Sequence, residues 1–329
     1  MTITLAQAKV GMANKVDQQI VDSFRRGSAM LDLMLFDDTV SPGTGGSTLV
    51  YGYERLLTPS SAAFRALNNE YIANEAIKQA LTTQLRIFGG TYTLDRVVID
   101  TAGAADEMSF QAEQKIKAAT NLWHWTVING NNGVNPNEFD GLDVALVGSV
   151  TEANAAAVID LSTSALIDAN FVSFLDELEN WLATLDGKPS MIAGSSRLIT
   201  KIKQVARRAG YLTHSEDAFG RTVSGYDGIP LIDLENHVTA GGALVPCVPI
   251  FNNRAPGGVP AVGLTDLYGI RLGLDGFHGA TVTGDKIIRS YLPDLNAPGA
   301  VKTGEVEMIG APILKSTRAA GVLRNIKIQ

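Results

Sequence analysis

The sequence has few of the residues that form disulfide frameworks or nucleic-acid-binding surfaces. One of its 329 residues is a cysteine, Cys247, so an internal disulfide framework is excluded. Aromatic residues make up 7% and charged residues 19%, and the charged share is below the usual quarter. The 34 acidic and 27 basic residues leave a formal net charge of -7, which argues against nucleic-acid binding as the main task. Weak contact with DNA through a local basic surface is compatible with this balance.

Long hydrophobic runs are also missing. The first residues, Met1 to Gln7, have neither the basic stretch nor the apolar stretch of a signal peptide. No apolar run approaches the length of a membrane span. We therefore expect a cytosol-like compartment and no membrane partner.

Recognisable catalytic or metal-binding patterns are absent as well. His124, His214, His237 and His278 are scattered, without metal-ligand spacing, and Cys247 lies in an apolar run that favours an inert thiol. Residues 43–48 resemble a phosphate loop but lack its lysine, and residues 129–140 lack the spacing of a calcium loop. No nucleophile motif surrounds any serine. The sequence predicts no enzyme activity and no catalytic, cofactor or metal site.

One basic cluster stands out. It comprises Lys201, Lys203, Arg207 and Arg208, on a predicted helix that follows Ser196. Such a cluster either faces a polyanion or an acidic neighbour, or is a solvated helix face. The solvated face is the usual meaning and is favoured here.

What the chain has is hydrophobic content and turns. Hydrophobic residues reach 45%, enough for one large or two modest domains, and 33 glycines with 12 prolines indicate a loop-rich β component. Residues 1–46 are predicted to form an arm with short amphipathic helices. Residues 103–129 carry a helical apolar stripe, and residues 165–294 read as an α/β region. A strand-like tail follows over 305–328.

Residues 47–99 predict a long β-hairpin. Leu49, Tyr51 and Tyr53 alternate with polar or small neighbours, and a second alternating run includes Leu85 and Ile87. Beyond Gly89-Gly90 the apolar parity changes, which predicts a bulge or bend there. A two-stranded hairpin is marginal in water by itself. We therefore expect its cover to come from another subunit.

The order of arm, hairpin, helix, α/β lobe and closing strands resembles the coat fold of tailed bacteriophages, named after phage Hong Kong ninety-seven. The resemblance covers essentially the whole chain. The segments that carry it are Phe24-Arg25-Arg26-Gly27-Ser28 with Leu31, Tyr51-Gly52-Tyr53, Phe88-Gly89-Gly90, Leu94-Asp95-Arg96, Asn137-Glu138-Phe139-Asp140-Gly141-Leu142 and Gly228-Ile229-Pro230-Leu231-Ile232.

The resemblance implies an α+β major capsid protein in four parts. These are an N-terminal arm (1–46), an extended loop (47–99), a peripheral domain (100–160 and 295–329) with a spine helix (103–129), and an axial domain (161–294). It also implies a set of subunit-interface residues. They are Arg25, Arg26, Tyr51, Tyr53, Arg55, Phe64, Arg65, Arg86 and Phe88.

The implied function is a virion shell assembled in the host cytoplasm. Hexamers and pentamers of the chain would enclose double-stranded DNA that is contacted weakly. Expected partners are a separate scaffolding protein, a portal and a decoration protein. The lysine–asparagine crosslink of the type member has no identifiable residue set here, so covalent crosslinking is not predicted.

Two alternatives stay open. An encapsulin-like compartment has the same fold, assembles alone and captures an enzyme cargo through a short peptide. From another class, an α/β enzyme with an unrecognised site would behave as a monomer with turnover.

Overall fold

The computed structural model describes residues 30, 33–37, 49–97, 107–210, 212–216, 222–239, 241–282 and 288–329. Most of the predicted arm lies outside these residues, and so do the predicted interface residues Arg25 and Arg26. The helices are α1 (Glu107–Asn129), α2 (Leu142–Ala145), α3 (Ser164–Thr184) and α4 (Ser196–Ala209), with a 3₁₀ turn at Pro256–Gly258. The strands are β1 (Phe36–Asp37), β2 (Val50–Thr58), β3 (Ile77–Gln84), β4 (Arg86–Asp95), β5 (Glu152–Ala153), β6 (Ile159–Asp160), β7 (Met191–Gly194), β8 (Leu212–Glu216), β9 (Thr222–Tyr226), β10 (Ile229–Asp233), β11 (Asn236–Val238), β12 (Leu244–Pro246), β13 (Leu264–Ile270), β14 (Phe277–Thr281), β15 (Ile288–Tyr291), β16 (Val301–Leu314) and β17 (Ala320–Lys327).

The larger sheet has eight strands in the order β5-β17-β13-β7-β10-β9-β8, with β6 also pairing with β17. Its central strands β7 and β13 are buried along their whole length, which explains the continuous apolar or small-residue sequence of β7. Strand β13 is also mainly apolar but carries the buried Asp266. Successive residues of β7 point to opposite faces. Ile192 joins the core under α3 and α4, whereas Met191 and Ala193 join the core that contains Trp123 of α1.

The smaller sheet is built around the long strand β16. Strand β4 pairs with one edge of β16 along its whole length, from Arg86 to Asp95. Strands β14 and β15 pair with the other edge of β16. The short strand β1 pairs with β14, so a piece of the predicted arm packs on its own chain. Trp123 of α1 is fully buried beneath this sheet, stacked on Phe88 with ring centroids 5.6 Å apart.

The helices predicted over 103–129 and after Ser196 are confirmed, whereas the predicted helices of the arm lie almost entirely outside the described residues. The helix expected over 103–129 is present in its described part and ends at Asn129, with Trp123 and Val127 fully buried. The next long helices begin at polar caps, because the side chain of Thr163 accepts from the backbone N–H of Leu166 and that of Ser195 from Leu198. Gly210 ends α4 in the left-handed conformation that a C-terminal cap requires.

The predicted bulge at Gly89-Gly90 is wrong. Strand β4 pairs with β16 through both glycines without a register shift. The parity changes earlier, between Leu85, which is 3% exposed, and Ile87, which is 56% exposed. The reason is that β3 and β4 belong to different sheets: β3 pairs with β2 and β4 pairs with β16. The hairpin is therefore shorter than the segment 47–99, and β4 belongs to the body.

Strand membership also crosses the predicted domain limits. From the segment 161–294, β14 and β15 join the smaller sheet, and from 295–329, β17 joins the larger sheet. Among the described residues, no helix has the length and apolar character needed to cross a membrane.

Candidate functional site

The most unusual feature of the surface is the projection formed by β2, β3 and the loop 59–76 between them. Among the described strands, β2 and β3 pair only with each other, and every residue from Leu56 to Ala80 is exposed. The loop contains no strand or helix. Loops of this length without secondary structure are uncommon in compact domains and usually functional.

Large apolar side chains are concentrated on this projection. In the loop, Phe64 is 108% exposed, Ile72 94% and Leu67 87%. Tyr71, Leu56, Leu57 and Ile77 add further exposed apolar surface. Water-exposed apolar surface is unfavourable by roughly 25 cal/mol per Å², and large exposed patches mark interaction sites. The projection therefore has the exposed apolar character of an interaction surface, and no described part of the chain covers it.

A few polar contacts hold the loop in shape. The backbone N–H of Ser61 donates to Oδ1 of Asn74 at 3.2 Å, and the Asn74 amide donates back to the Ser61 hydroxyl. The Arg65 guanidinium donates to the carbonyl of Asn69 at 3.3 Å and lies 5.4 Å from the centroid of the Tyr71 ring. These contacts close the loop and leave its apolar side chains facing outward.

The base of the projection is anchored on the body. Arg55 donates from Nε to the carbonyl of Lys315 at 2.8 Å and from Nη2 to that of Leu314 at 2.7 Å. The Tyr53 hydroxyl donates to the same Leu314 oxygen at 3.4 Å. Bonds from a charged donor are stronger than neutral ones, so Arg55 is the main restraint on the direction of β2.

Tyr51 adds a buried link between the projection and β1. Its hydroxyl donates to Oδ2 of Asp37 at 2.8 Å, and the side chain is 4% exposed. Burial, together with the hydrogen bond to Asp37 and that carboxylate's charge, raises the pKa of Tyr51 well above its usual range, so it stays a neutral donor. The ring also makes an edge contact with His278, with centroids 5.8 Å apart.

The structure separates the predicted interface residues into groups. Phe64 and Arg65 lie on the exposed loop, whereas Tyr51, Tyr53 and Arg55 lie at the anchored base. The others lie in the body. Arg86 donates to the carbonyl of Glu138 at 3.1 Å and to Asn132 at 2.9 Å, and Phe88 packs on Trp123.

Sequence reasoning did not single out Leu67, Tyr71 and Ile72. In the sequence these residues stand out only as apolar residues in a segment of otherwise small and polar residues. Their spacing follows neither the strand period of 2 nor the helix period of 3.6. Such residues cannot be assigned to a core face by pattern, and their exposure became visible only in the fold.

A groove of about 460 Å³ lies between the base of the projection and the body. Its walls include Arg55, Arg86, Glu138 and Asp140, with Phe139 among the apolar groups. Both arginines already donate to backbone carbonyls. Across the described ranges, no group of three or more His, Cys, Asp or Glu side chains is arranged to hold a metal ion.

The buried titratable side chains have packing roles. Cys247 is 1% exposed, and burial is the main cause that raises the pKa of its thiol to about 12, so the thiol stays protonated. Burial lowers the pKa of His124 to about 4, and its neutral Nε2 accepts from the backbone N–H of Met30 at 3.0 Å. Within the described segments, neither side chain is part of a group of His, Cys, Asp or Glu residues that could hold a metal ion.

Solved structures share this fold at low sequence identity. The holo-SrpI encapsulin from Synechococcus elongatus is 14% identical, with a TM-score of 0.64, over 99% of this chain and 97% of that chain. A structure from Mycobacterium phage Bobi is 12% identical, with a TM-score of 0.60, over 100% of both chains. The capsid of the Myoviridae phage XM1 is 10% identical, with a TM-score of 0.58, over 94% of this chain and 96% of that chain.

These likenesses confirm the predicted α+β coat fold of the Hong Kong ninety-seven type over nearly the whole chain. No protein-family model and no curated protein matches the sequence. Identities of this size establish the fold alone.

Proposed function

We propose that the chain is a structural subunit that assembles with identical copies into a closed icosahedral shell, as the major capsid protein of a tailed phage. The observation that carries the proposal is the projection from Leu56 to Ala80, exposed throughout and rich in large apolar side chains. Its partner is a neighbouring copy, because a shell supplies every subunit with the same neighbour and so buries every projection in the same way.

The anchored base supports this proposal. A projection that is fixed by Arg55 and Tyr51 presents its apolar loop in a defined direction, which lowers the entropy lost on binding. In this arrangement Phe64 and Arg65 contact the neighbour, whereas Tyr51, Tyr53 and Arg55 orient the strands. Obligate interfaces commonly exceed about 2,000 Å².

The four-part division extends the proposal to the whole chain. The body around α1 and β16 corresponds to the peripheral domain, and the larger sheet with α3 and α4 to the axial domain around hexamer and pentamer centres. Arm residues Arg25 and Arg26 are proposed to contact neighbouring subunits. Because β14 and β15 pair in the smaller sheet and β17 in the larger one, the proposed division assigns β14 and β15 to the peripheral body and β17 to the axial lobe.

The partners follow from the same proposal. A formal net charge of -7 suits a shell that encloses double-stranded DNA without binding it tightly. A separate scaffolding protein, a portal and a decoration protein complete the set, and assembly takes place in the host cytoplasm.

A second candidate is a protein compartment of the encapsulin type. It is favoured by the TM-score of 0.64 to the encapsulin SrpI, which extends over 97% of that chain. The two functions differ in what assembly requires. A compartment forms from the chain alone, whereas a capsid requires a co-expressed scaffold and contains nuclease-protected DNA when produced in infected cells.

Deletion of the projection tests the shell proposal. The full chain and a variant that lacks residues 58–80, closed by a short Gly-Ser turn, are compared by size-exclusion chromatography and negative-stain microscopy. We expect rings or shells from the full chain and a folded, unassembled variant. The reason is that the deletion removes the exposed loop and spares both sheets of the body.

The matched control is Val134→Ser, which changes an apolar side chain that is 81% exposed on another loop. The control should assemble like the wild type. An undiminished yield of shells from the deletion variant would contradict the role given to the projection. A monomeric wild-type chain with catalytic turnover would favour the enzyme alternative.

A further inference from the structure

The two long helices on the larger sheet carry opposite charges. Helix α3 contains the acidic residues Asp168, Asp176, Glu177 and Glu179 and no basic residue. Helix α4 contains the basic residues Arg197, Lys201, Lys203, Arg207 and Arg208 and no acidic residue. Both helices pack into one hydrophobic cluster, so they lie side by side on the same face of the sheet.

The flanks of α3 and α4 that face each other are already paired. Nε of Arg208 lies 2.5 Å from Oδ1 of Asp168, and its Nη2 donates to the Ser164 hydroxyl at 2.8 Å. Nζ of Lys201 donates to the carbonyl of Ser162, just before α3, at 2.6 Å. These contacts identify the inner flank of each helix.

The outer flanks are unpaired. At about 100° per residue, Glu177 lies roughly opposite Asp168 on α3, and Lys203 lies well away from Lys201 and Arg208 on α4. Arg207 is one turn from Lys203 on α4. Asp176 lies about 80° from Asp168 and about 100° from Glu177, on the exposed side of α3 between these two residues. Within the part of the chain that the structure describes, the side chains of Asp176, Glu177, Lys203 and Arg207 make no hydrogen bond or ion pair. Lys203 and Arg207 form the basic flank, and Asp176 and Glu177 form the acidic flank.

We propose that the basic flank of one copy docks against the acidic flank of the next copy around each ring of the shell. The inference rests on the proposed function, because it needs copies arranged head to tail. Unlike surfaces on opposite sides of a subunit produce a heterologous contact, and repetition of such a contact closes a ring. Charge complementarity of this kind fixes register and rejects wrong partners.

A second copy fits the charges better than a nucleic acid does. A polyanion lying on α4 would extend over α3, whose four acidic residues would repel it. A neighbouring copy presents an acidic flank of limited size, matched to the two unpaired cations. The contact is therefore selective for this chain itself.

Charge reversal tests the docking. The basic-flank variant carries Lys203→Glu and Arg207→Glu, and the acidic-flank variant carries Asp176→Lys and Glu177→Lys. The swap variant carries all four substitutions in one chain and has the net charge of the wild type. Each variant is checked by circular dichroism, and its assembly threshold is measured by light scattering and negative-stain microscopy.

We expect each single-flank variant to raise the threshold by roughly tenfold or more, because it brings like charges together. The swap variant should assemble like the wild type. An equimolar mixture of the two single-flank variants should recover even-numbered rings, in which the variants alternate, and fail to form closed five-membered rings.

Wild-type assembly with unchanged thresholds in both single-flank variants would overturn the docking proposal and leave the shell function intact. Normal assembly of the basic-flank variant with less retained DNA would also overturn the docking proposal, because that result would mean that the basic flank binds a polyanion. Failure of the wild type to assemble under any condition, scaffold included, would instead contradict the proposed function.

Discussion

At the scale of single residues, Arg324 holds together an ionic cluster in the body. It is 8% exposed and bonds to Asp143, to Glu152 and to Asp266, and the Asp266 side chain is itself 1% exposed. Arg254 completes the cluster with bonds of 2.7 and 2.8 Å to the two oxygens of Asp266. Buried carboxylates are tolerated because these cations and hydrogen bonds replace the lost hydration.

Replacement of Arg324 by alanine should lower the free energy of unfolding by about 3–5 kcal/mol, because it leaves the largely buried carboxylate of Glu152 without a cation and removes one of the two cations that hold Asp266. Urea denaturation of the unassembled chain measures the loss. The comparison is Lys78→Ala, which breaks the exposed pair with Glu54 and should cost at most about 1 kcal/mol. Equal effects of the two substitutions would show that the cluster does not stabilise the body.

Two buried histidines make the stability of the fold depend on pH. Burial lowers the pKa values of His124 and His278 to about 4, and both side chains are at most 5% exposed. In the unfolded chain these imidazoles bind protons as the pH falls through about 6.5, but in the folded chain they do so only near 4. The folded state therefore loses stability relative to the unfolded state as the pH falls from about 6.5 to about 4. Above pH 6.5 this loss is absent.

Between pH 7 and pH 5 we expect each of these histidines to lower the free energy of unfolding by about 2 kcal/mol. His124→Gln keeps an acceptor for the backbone N–H of Met30 but does not titrate. Its stability, followed by urea denaturation across the same range, should fall by about 2 kcal/mol less than that of the wild type. An identical pH slope in both proteins would contradict the assignment.

At the scale of elements, the pairing of β4 with β16 depends on a close backbone approach. A Cβ placed on Gly89 would lie 1.9 Å from the carbonyl oxygen of Val306, so the strands could not keep their spacing. Gly52 in β2 offers the contrast, because a Cβ there would meet nothing within 4 Å. The same residue type is thus structurally required in one strand and replaceable in the other.

Gly89→Ala should therefore destabilise the body by about 1–3 kcal/mol, as overpacking does. Gly52→Ala should be neutral or slightly stabilising, since alanine is less costly than glycine in an extended strand. Thermal and urea unfolding of the two variants distinguish these results. A Gly89→Ala protein as stable as Gly52→Ala would show that β16 moves to accommodate the methyl group.

At the scale of the whole molecule, Arg55 joins the projection to the body. Its guanidinium bonds to the carbonyls of Leu314 and Lys315, where β16 ends. Arg55→Ala should leave global stability nearly unchanged, because the Arg55 side chain does not belong to the hydrophobic core. Hydrogen exchange of the β2 and β3 amides should accelerate, by roughly tenfold for a lost charged bond of about 1.5 kcal/mol.

Assembly supplies the second measurement for Arg55→Ala. A projection with freer orientation loses more entropy on docking, so the assembly threshold should rise. Lys78→Ala, on the same projection but away from its base, is the control and should leave the exchange rates near the base unchanged. Unaltered exchange at β2 in Arg55→Ala would mean that Tyr51 and Tyr53 suffice as anchors.

The sequence by itself determined the features that depend on near neighbours. The apolar stripe of α1, the caps at Ser195 and Gly210 and the alternation of β2 follow from helical or strand periodicity and from local hydrogen bonds. Only the tertiary structure decided that β4 joins the smaller sheet and that Ile87 is exposed on it. It also brought Asp143, Asp266 and Arg324, which are far apart in the sequence, into one ionic cluster. Strand pairing and burial depend on contacts between segments far apart in the chain, and those contacts exist only once the body has packed.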